Sequence, residues 1–141
     1  MILIDSNIWI YYFDSSSKEH KTIAAFLEKI LVKETVVVNT VIILEIAHYL
    51  IKNLGPIIGK KKMSTFFEYP LIIVDLDYEL TIDAINLFSE HSHSGIGGRD
   101  ASILATLKRK RIFKLITHDN AFKQIDWINV IDPISRYAEK P

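Results

Sequence analysis

The 141-residue sequence has no cysteine, no apolar run of membrane-spanning length and no excess of either charge. Without cysteine, disulfides and thiolate metal sites are excluded. A transmembrane helix needs about twenty mainly apolar residues, and no run approaches that length. The N-terminal Met1-Ile2-Leu3-Ile4 is cut short by Asp5 and lacks the basic start of a signal peptide, so we expect a cytoplasmic protein.

The balance of charge limits how the chain can bind nucleic acid. Its 17 basic residues are matched by 17 acidic ones, which gives a formal net charge of +0. This argues against a protein that holds nucleic acid mainly through a broad positive field. It leaves room for a nuclease with a local basic rim around an acidic, metal-filled centre. Lys60-Lys61-Lys62 is a candidate rim, although such a run is usually a solvated face.

The hydrophobic pattern predicts a single α/β domain over residues 1–141. Short apolar strands alternate with helical segments, which predicts a parallel sheet covered by helices on both faces, a three-layer α/β/α sandwich. The tail from Asp132 is weakly patterned. The predicted strands are 1–4, 35–38, 71–74, 112–116 and 127–131; the predicted helices are 8–13, 18–32, 41–52, 57–67, 77–90 and 99–109, with a short one that includes residues 121–122.

Asp5 stands where the first predicted strand leaves the sheet. Ligands of open α/β sheets bind in the crevice at the carboxyl ends of the strands. A buried acid there is costly unless a partner compensates its charge. The alternative is that Asp5 or Ser6 only caps the helix that follows.

Three further acids are expected at the same edge of the sheet. Glu45 lies in the helix after the second strand, Asp100 begins the helix before the fourth, and Asp119 follows the fourth. Each has a structural explanation: a solvent-facing stripe for Glu45, the helix dipole for Asp100 and a helix cap for Asp119. A shared cause explains all four acids better, because clustered carboxylates without a cation would repel one another.

A hard divalent cation such as Mg²⁺ is that shared cause. It prefers oxygen ligands, and beside a phosphodiester it can activate a water and stabilise charge on the phosphate. The sequence has no Gly-x-x-x-x-Gly-Lys loop and no Gly-x-Gly-x-x-Gly after a strand, which argues against nucleotide hydrolysis and dinucleotide binding. The reaction that these exclusions leave is metal-dependent phosphodiester hydrolysis.

Other site types fit the residues less well. An aspartyl phosphatase normally has a second acid two residues after the first, where this chain has Asn7. A signalling receiver domain would need acids next to Asp5 and a lysine after a late strand. The pair His91 and His93 suggests zinc, but no nearby cysteine or Glu-x-x-His pattern completes a closed site.

The ordered set of motifs resembles that of PIN-domain ribonucleases and extends over nearly the whole chain. The short single-domain length is similar to that of VapC-type toxins of toxin–antitoxin pairs. The motifs are Asp5-Ser6-Asn7 after a strand, Glu45 within Ile-Leu-Glu-Ile-Ala, Gly98-Arg99-Asp100-Ala101, and Thr117-His118-Asp119-Asn120-Ala121-Phe122.

The resemblance implies the sheet order 3-2-1-4-5 and an endoribonuclease that uses Mg²⁺ or Mn²⁺. It implies that Asp5, Glu45, Asp100 and Asp119 are the catalytic, metal-binding acids. The expected supporting residues are Ser6 and Thr117, which would orient ligands, and Asn7 and Asn120, as minor contributors. In this order the third strand lies at an edge, so Asp75 and Asp77 are expected to be structural.

The resemblance also implies a homodimer and a small antitoxin partner that covers the site and the apolar helices. The first helix offers candidate partner contacts, although ordinary core packing is the alternative. These candidates are Trp9, Tyr11, Tyr12 and Phe13. Two alternative functions stay open: a non-toxin PIN nuclease that processes RNA, and a catalytically silent α/β module that only binds a partner.

Overall fold

Strands and helices alternate along the chain, as the sequence pattern predicts. The computed structural model describes residues 1–138. Most element bounds agree with the predicted ones to within a few residues. The elements are β1 (Ile2–Ile4), α1 (Ser6–Phe13), α2 (His20–Lys33), β2 (Val36–Asn39), α3 (Thr40–Leu54), α4 (Pro56–Phe67), β3 (Ile72–Val74), α5 (Tyr78–His91), α6 (Gly98–Lys110), β4 (Lys114–Ile116), β5 (Asn129–Ile131) and α7 (Pro133–Ala138), with 3-10 turns at Ser92–Ser94 and Asn120–Gln124.

The sheet is wholly parallel and has the order β3-β2-β1-β4-β5, which confirms the predicted fold class. In the central strand, Ile2 lies opposite Val36 of β2 and Leu3 lies opposite Leu115 of β4. Successive residues of a strand point to opposite faces of the sheet. Because Ile2, Leu3 and Ile4 are all buried, both faces are covered at β1.

Polar residues at the ends of the strands start the helices that follow. Asp5, Asn39 and Asp77 each accept a backbone N–H at the start of α1, α3 and α5. Such caps satisfy donors that the first helical turn leaves unpaired. The carboxyl edge of the sheet therefore gathers polar side chains and helix N-termini together. Within residues 1–138, none of the helices has both the length and the apolar character needed to cross a membrane.

The aromatic residues of α1 pack mainly inside the chain. The Trp9 ring is fully buried and meets Phe66 edge-on at 4.9 Å between centroids, and Phe13 is also buried. Tyr11 and Tyr12 are half-buried. α1 lies against α2 and α3, so two of the four candidate partner contacts, Trp9 and Phe13, are corrected to core residues. Tyr11 and Tyr12 remain candidates.

Asp75 and Asp77 follow the edge strand β3. Asp77 Oδ1 accepts the N–H of Leu80 at 2.8 Å, and its Oδ2 lies 3.0 Å from Arg109. Asp75 is exposed, and its carbonyl accepts the N–H of Asp77. The Asp77 side chain therefore supports α5, and both residues follow a strand separated from β1 by β2.

Helix α7 was not foreseen in the weakly patterned tail. Asp132 Oδ1 accepts the backbone N–H groups of Ile134 and Ser135, and Pro133 is the first residue of the helix. An acid followed by proline is a helix start, because proline fits the first helical position. The short length of the helix hid this signal.

The close contact of α3 with α4 depends on Gly59. A Cβ built at Gly59 would lie 2.7 Å from the Cα of Ile51 and 2.8 Å from the carbonyl carbon of Leu50. Both are backbone atoms, so the helices would have to separate to admit a methyl group.

We predict that Gly59→Ala destabilises the fold by about 1–3 kcal/mol through overpacking. The usual effect of this change in a helix is a stabilisation of about 1 kcal/mol, so the expected sign is reversed. Urea unfolding should show a lower midpoint with an unchanged slope. Gly98→Ala is the matched control, since a Cβ there meets nothing within 4 Å. A midpoint at or above that of the wild type for Gly59→Ala would contradict the prediction.

Candidate active site

Asp5 is completely buried at the carboxyl end of the central strand. Its N–H donates to the carbonyl of Ile116 at 2.9 Å, which extends the pairing of β1 with β4. Its Oδ1 accepts the N–H of Ser6, and its Oδ2 accepts the hydroxyl of Thr117, both at 2.7 Å. A buried carboxylate needs such donors to replace water. Ser6 and Thr117, which were expected to orient ligands, thus both contact Asp5.

The guanidinium of Arg99 brings together three of the four predicted acids. Its Nε donates to Glu45 at 2.6 Å, and one terminal nitrogen donates to Asp100 at 2.8 Å. The other terminal nitrogen donates to Asp5 and, at 2.8 Å, to the hydroxyl of Ser6. All three nitrogens of the side chain are therefore used within one site at the edge of the sheet.

The charges of this cluster do not cancel. Burial favours a lower pKa for Arg99, but the charge of Asp5 and the hydrogen bonds to Glu45 and Asp5 raise that pKa above its ordinary value. Arg99 therefore stays a cation. Three carboxylates against one guanidinium leave two negative charges when all three acids are ionised (three minus one). The cluster therefore keeps a net negative charge, which attracts cations.

Asn39 fixes the two helices that carry Glu45 and Asp100. Its Oδ1 accepts a backbone N–H in the first turn of α3 at 2.9 Å. Its Nδ2 lies 3.2 Å from the hydroxyl of Thr106 and 3.3 Å from that of Ser102, both on α6. Asn39 is completely buried. One amide at the end of β2 therefore connects α3 and α6 directly.

Asp119 lies beside this cluster and connects to it through Thr117. Oγ1 of Thr117 donates to Asp5 and accepts the N–H of Asp119 at 3.0 Å. Asn7 braces the same segment, because its Nδ2 donates to Thr117 at 3.3 Å and its Oδ1 accepts the N–H of His118. Oδ1 of Asp119 accepts the N–H of Ala121, so Asp119 also caps the 3-10 turn.

Asp132 also anchors the segment that follows β4. Its carboxylate lies 3.0 Å from Nδ1 of His118 and 3.0 Å from Nζ of Lys123, and it accepts the hydroxyl of Ser135 at 2.8 Å. Burial favours a higher pKa for Asp132, but these hydrogen bonds lower its pKa below the ordinary value. The acid therefore holds the segment between Thr117 and α7 in place.

The donor set suits a divalent cation, although the present arrangement is built around a guanidinium. Within residues 1–138, no group of three or more acidic or histidine side chains is close enough to hold a metal. A planar guanidinium is wider than a metal ion and keeps its carboxylates apart, whereas Mg²⁺ binds oxygens at about 2.1 Å. Three carboxylates already converge on one cation, so the donor chemistry fits.

Sequence reasoning missed the role of Arg99 while using its neighbour Asp100. The signal was available: an arginine beside an acid, at an edge where other acids converge, is the obvious compensating charge. The remaining predicted residue, Asn120, is exposed and begins the 3-10 turn. Asp5, Glu45 and Asp100 thus share one partner, Asp119 lies next to them, and Asn120 follows Asp119 along the chain.

Comparisons with known proteins identify the family of this chain. The sequence model of the PIN domain matches residues 2–128. A sequence search of curated proteins finds no match.

Solved structures with the same fold include several toxin proteins. Mycobacterium tuberculosis VapC20, described as a sarcin-ricin loop cleaving toxin, has a TM-score of 0.78 at 15% identity over 91% of this chain and 97% of that one. Rickettsia felis VapBC2, bound to promoter DNA, gives 0.73 at 21% over 93% and 98%. A Klebsiella pneumoniae toxin–antitoxin complex gives 0.69 at 22% over 94% and 98%. At such identities the likeness concerns the fold, and it is the sequence match over residues 2–128 that shows that this chain belongs to the PIN-domain family.

Proposed function

We propose that residues 1–141 form a single nuclease domain, a metal-dependent endoribonuclease that acts in the cytoplasm as the toxin of a type II toxin–antitoxin pair. The observation that carries the proposal is the convergence of three carboxylates on one cation, Arg99, at the carboxyl edge of the sheet. Ligands of α/β sheets bind at this edge. Membership of the PIN family supports the reaction class.

In this proposal Asp5, Glu45, Asp100 and Asp119 hold Mg²⁺ or Mn²⁺. When bound, the metal would supply Lewis-acid stabilisation of the phosphate and an activated water. The chain's own contribution is to fix the ligands. Ser6 and Thr117 hold the two oxygens of Asp5, and the segment of Thr117 is in turn braced by Asn7 and Asp132.

RNA is the proposed substrate, partly because VapC20 is described as a toxin that cleaves the sarcin-ricin loop. A balanced net charge agrees with a substrate held locally at the site, without a broad basic face. A non-toxin PIN nuclease that processes RNA would use the same residues. A catalytically silent module has no need for a buried Asp5 with its compensating contacts.

The decisive test is RNA cleavage by the purified chain with Mg²⁺ or Mn²⁺. We predict that Asp5→Asn lowers the cleavage rate by at least about 100-fold, since loss of even a group that orients a metal ligand costs 10–100-fold. A chelator should abolish wild-type cleavage. Asp75→Asn is the matched control and should keep full activity, because Asp75 is exposed beside an edge strand. Equal cleavage by wild type and Asp5→Asn, or none by either, would refute the proposal.

A second prediction concerns the hydroxyl of Thr117. Thr117→Val keeps the shape of the side chain but removes the donor to Asp5 and the acceptor for Asp119. We expect cleavage to fall about 10–100-fold and the required Mn²⁺ concentration to rise. Thr65→Val is the control, since its exposed hydroxyl bonds only a helical carbonyl. An unchanged metal requirement in Thr117→Val would mean that this hydroxyl does not orient the site.

The proposed antitoxin would cover an apolar groove that continues into the site. The groove lies between α3 and α4 and includes Leu44, which is 72% exposed and also lines the depression beside Glu45. An exposed groove of this kind indicates a protein partner. Several structural neighbours are toxin–antitoxin complexes. A homodimer is also proposed, and light scattering of the purified chain would detect it.

We predict that Phe67→Lys weakens binding of the small protein encoded by an adjacent gene by at least about tenfold. Phe67 is half-exposed and lines the groove, so Phe67→Lys would remove an apolar contact and put a charge into it. Val32→Lys, on the exposed side of α2, should bind normally. Calorimetric titration measures both affinities, and equal affinities would place the partner elsewhere.

A further inference from the structure

We propose that Arg99 is a built-in counter-ion of the acidic site, which a divalent cation must displace in order to bind. Arg99 would then set the metal affinity of the protein. This inference rests on the proposed function, because it assumes that the acids hold such a cation.

While Arg99 is in place, Oδ1 of Asp5 already accepts two hydrogen bonds and has no lone pair free for a metal. Oδ1 of Asp5 accepts from Arg99 and from the N–H of Ser6, and Oδ2 accepts from Thr117. The donors from Ser6 and Thr117 are compatible with a metal ligand, since each leaves one lone pair on its oxygen, and Arg99 takes the one on Oδ1. A metal bound at Oδ1 of Asp5 therefore competes with Arg99.

A metal at Glu45 or Asp100 would also compete with Arg99. Glu45 Oε1 and Asp100 Oδ1 each accept from Arg99, and Asp100 Oδ2 accepts the N–H of Gly97 at 3.1 Å. Two cations sharing these oxygens would repel each other at short range. The carboxylates must also move closer together around a small ion than around a guanidinium. Both effects favour replacement of Arg99 over addition of a metal beside it.

Arg99 has a route out of the site. Its side chain is 29% exposed, whereas that of Asp5 is fully buried. Arg99 has a longer side chain than any of the three acids, so it can rotate toward solvent while its backbone stays in α6. The exchange therefore requires movement of one long side chain and small adjustments of the carboxylates.

This exchange has two consequences of opposite sign. Without metal, Arg99 neutralises part of the acidic cluster, so its removal should destabilise the protein. With metal, Arg99 is a competitor, so its removal should tighten binding. An arginine that only supports the fold would not tighten metal binding when it is replaced.

The test compares wild type, Arg99→Gln and Arg109→Gln by calorimetric titration with Mn²⁺ and by thermal unfolding without metal. Arg109 pairs with Asp77 and serves as the matched control. We expect Arg99→Gln to bind Mn²⁺ on the order of tenfold more tightly, because a nearby like charge has gone. We expect its metal-free unfolding temperature to fall by several degrees. Arg109→Gln should leave Mn²⁺ affinity unchanged.

The outcomes separate the inference from the proposed function. Mn²⁺ binding by wild type with equal or weaker binding by Arg99→Gln overturns the inference alone. Absence of Mn²⁺ binding in wild type and in a folded Arg99→Gln overturns both the inference and the proposed metal dependence.

A measurement on the wild-type protein covers the case in which Arg99→Gln does not fold. Phenylglyoxal modifies accessible arginines, and mass spectrometry locates each modified residue. Mn²⁺ should accelerate modification of Arg99 and leave that of the exposed Arg111 unchanged. Protection of Arg99 by Mn²⁺, or no change in its rate, would show that the arginine stays in the site.

Discussion

The carboxylate of Asp5 is buried at the end of the central strand, so its charge needs hydrogen-bond donors in place of water. Several residues at the carboxyl edge of the sheet supply these donors. The backbone of α1, the hydroxyl of Thr117 and the guanidinium of Arg99 each supply a donor. Desolvation of a charge is otherwise prohibitive. These donors come from three separate parts of the chain, so the site forms only when the sheet has brought β1, β4 and α6 together.

Sheet order makes this convergence possible. β1 lies between β2 and β4, so the segments that follow all three strands meet at one edge. The alternation of strands and helices and the expected convergence of Asp5, Glu45 and Asp100 were predictable from the residues, whereas the central place of the first strand was implied by the resemblance to PIN-domain ribonucleases. Apolar periodicity and the position of acids at strand ends are local signals, and a parallel sheet converts them into proximity.

What the sequence did not reveal depends on side-chain packing and on charge balance. Trp9 and Phe13 look like a partner surface when read along the chain, but neighbouring helices and Phe66 cover them. Arg99 is one of 17 basic residues, and its position beside Asp100 marks it as a compensating charge only in combination with the convergence of three acids. Asp132 lies in a weakly patterned tail, and its role depends on contacts with His118 and Lys123.

The buried amide of Asn39 influences the acidic site, because it holds the two helices that carry Glu45 and Asp100. Because it joins α3 to α6, the spacing between the carriers of Glu45 and Asp100 is set by hydrogen bonds that no ligand can reach. Substitutions at Ser102 or Thr106 would therefore alter the distance between Glu45 and Asp100, even in a protein that folds normally. In related chains, substitutions at these buried positions can then change the geometry of the site while the acids themselves stay the same.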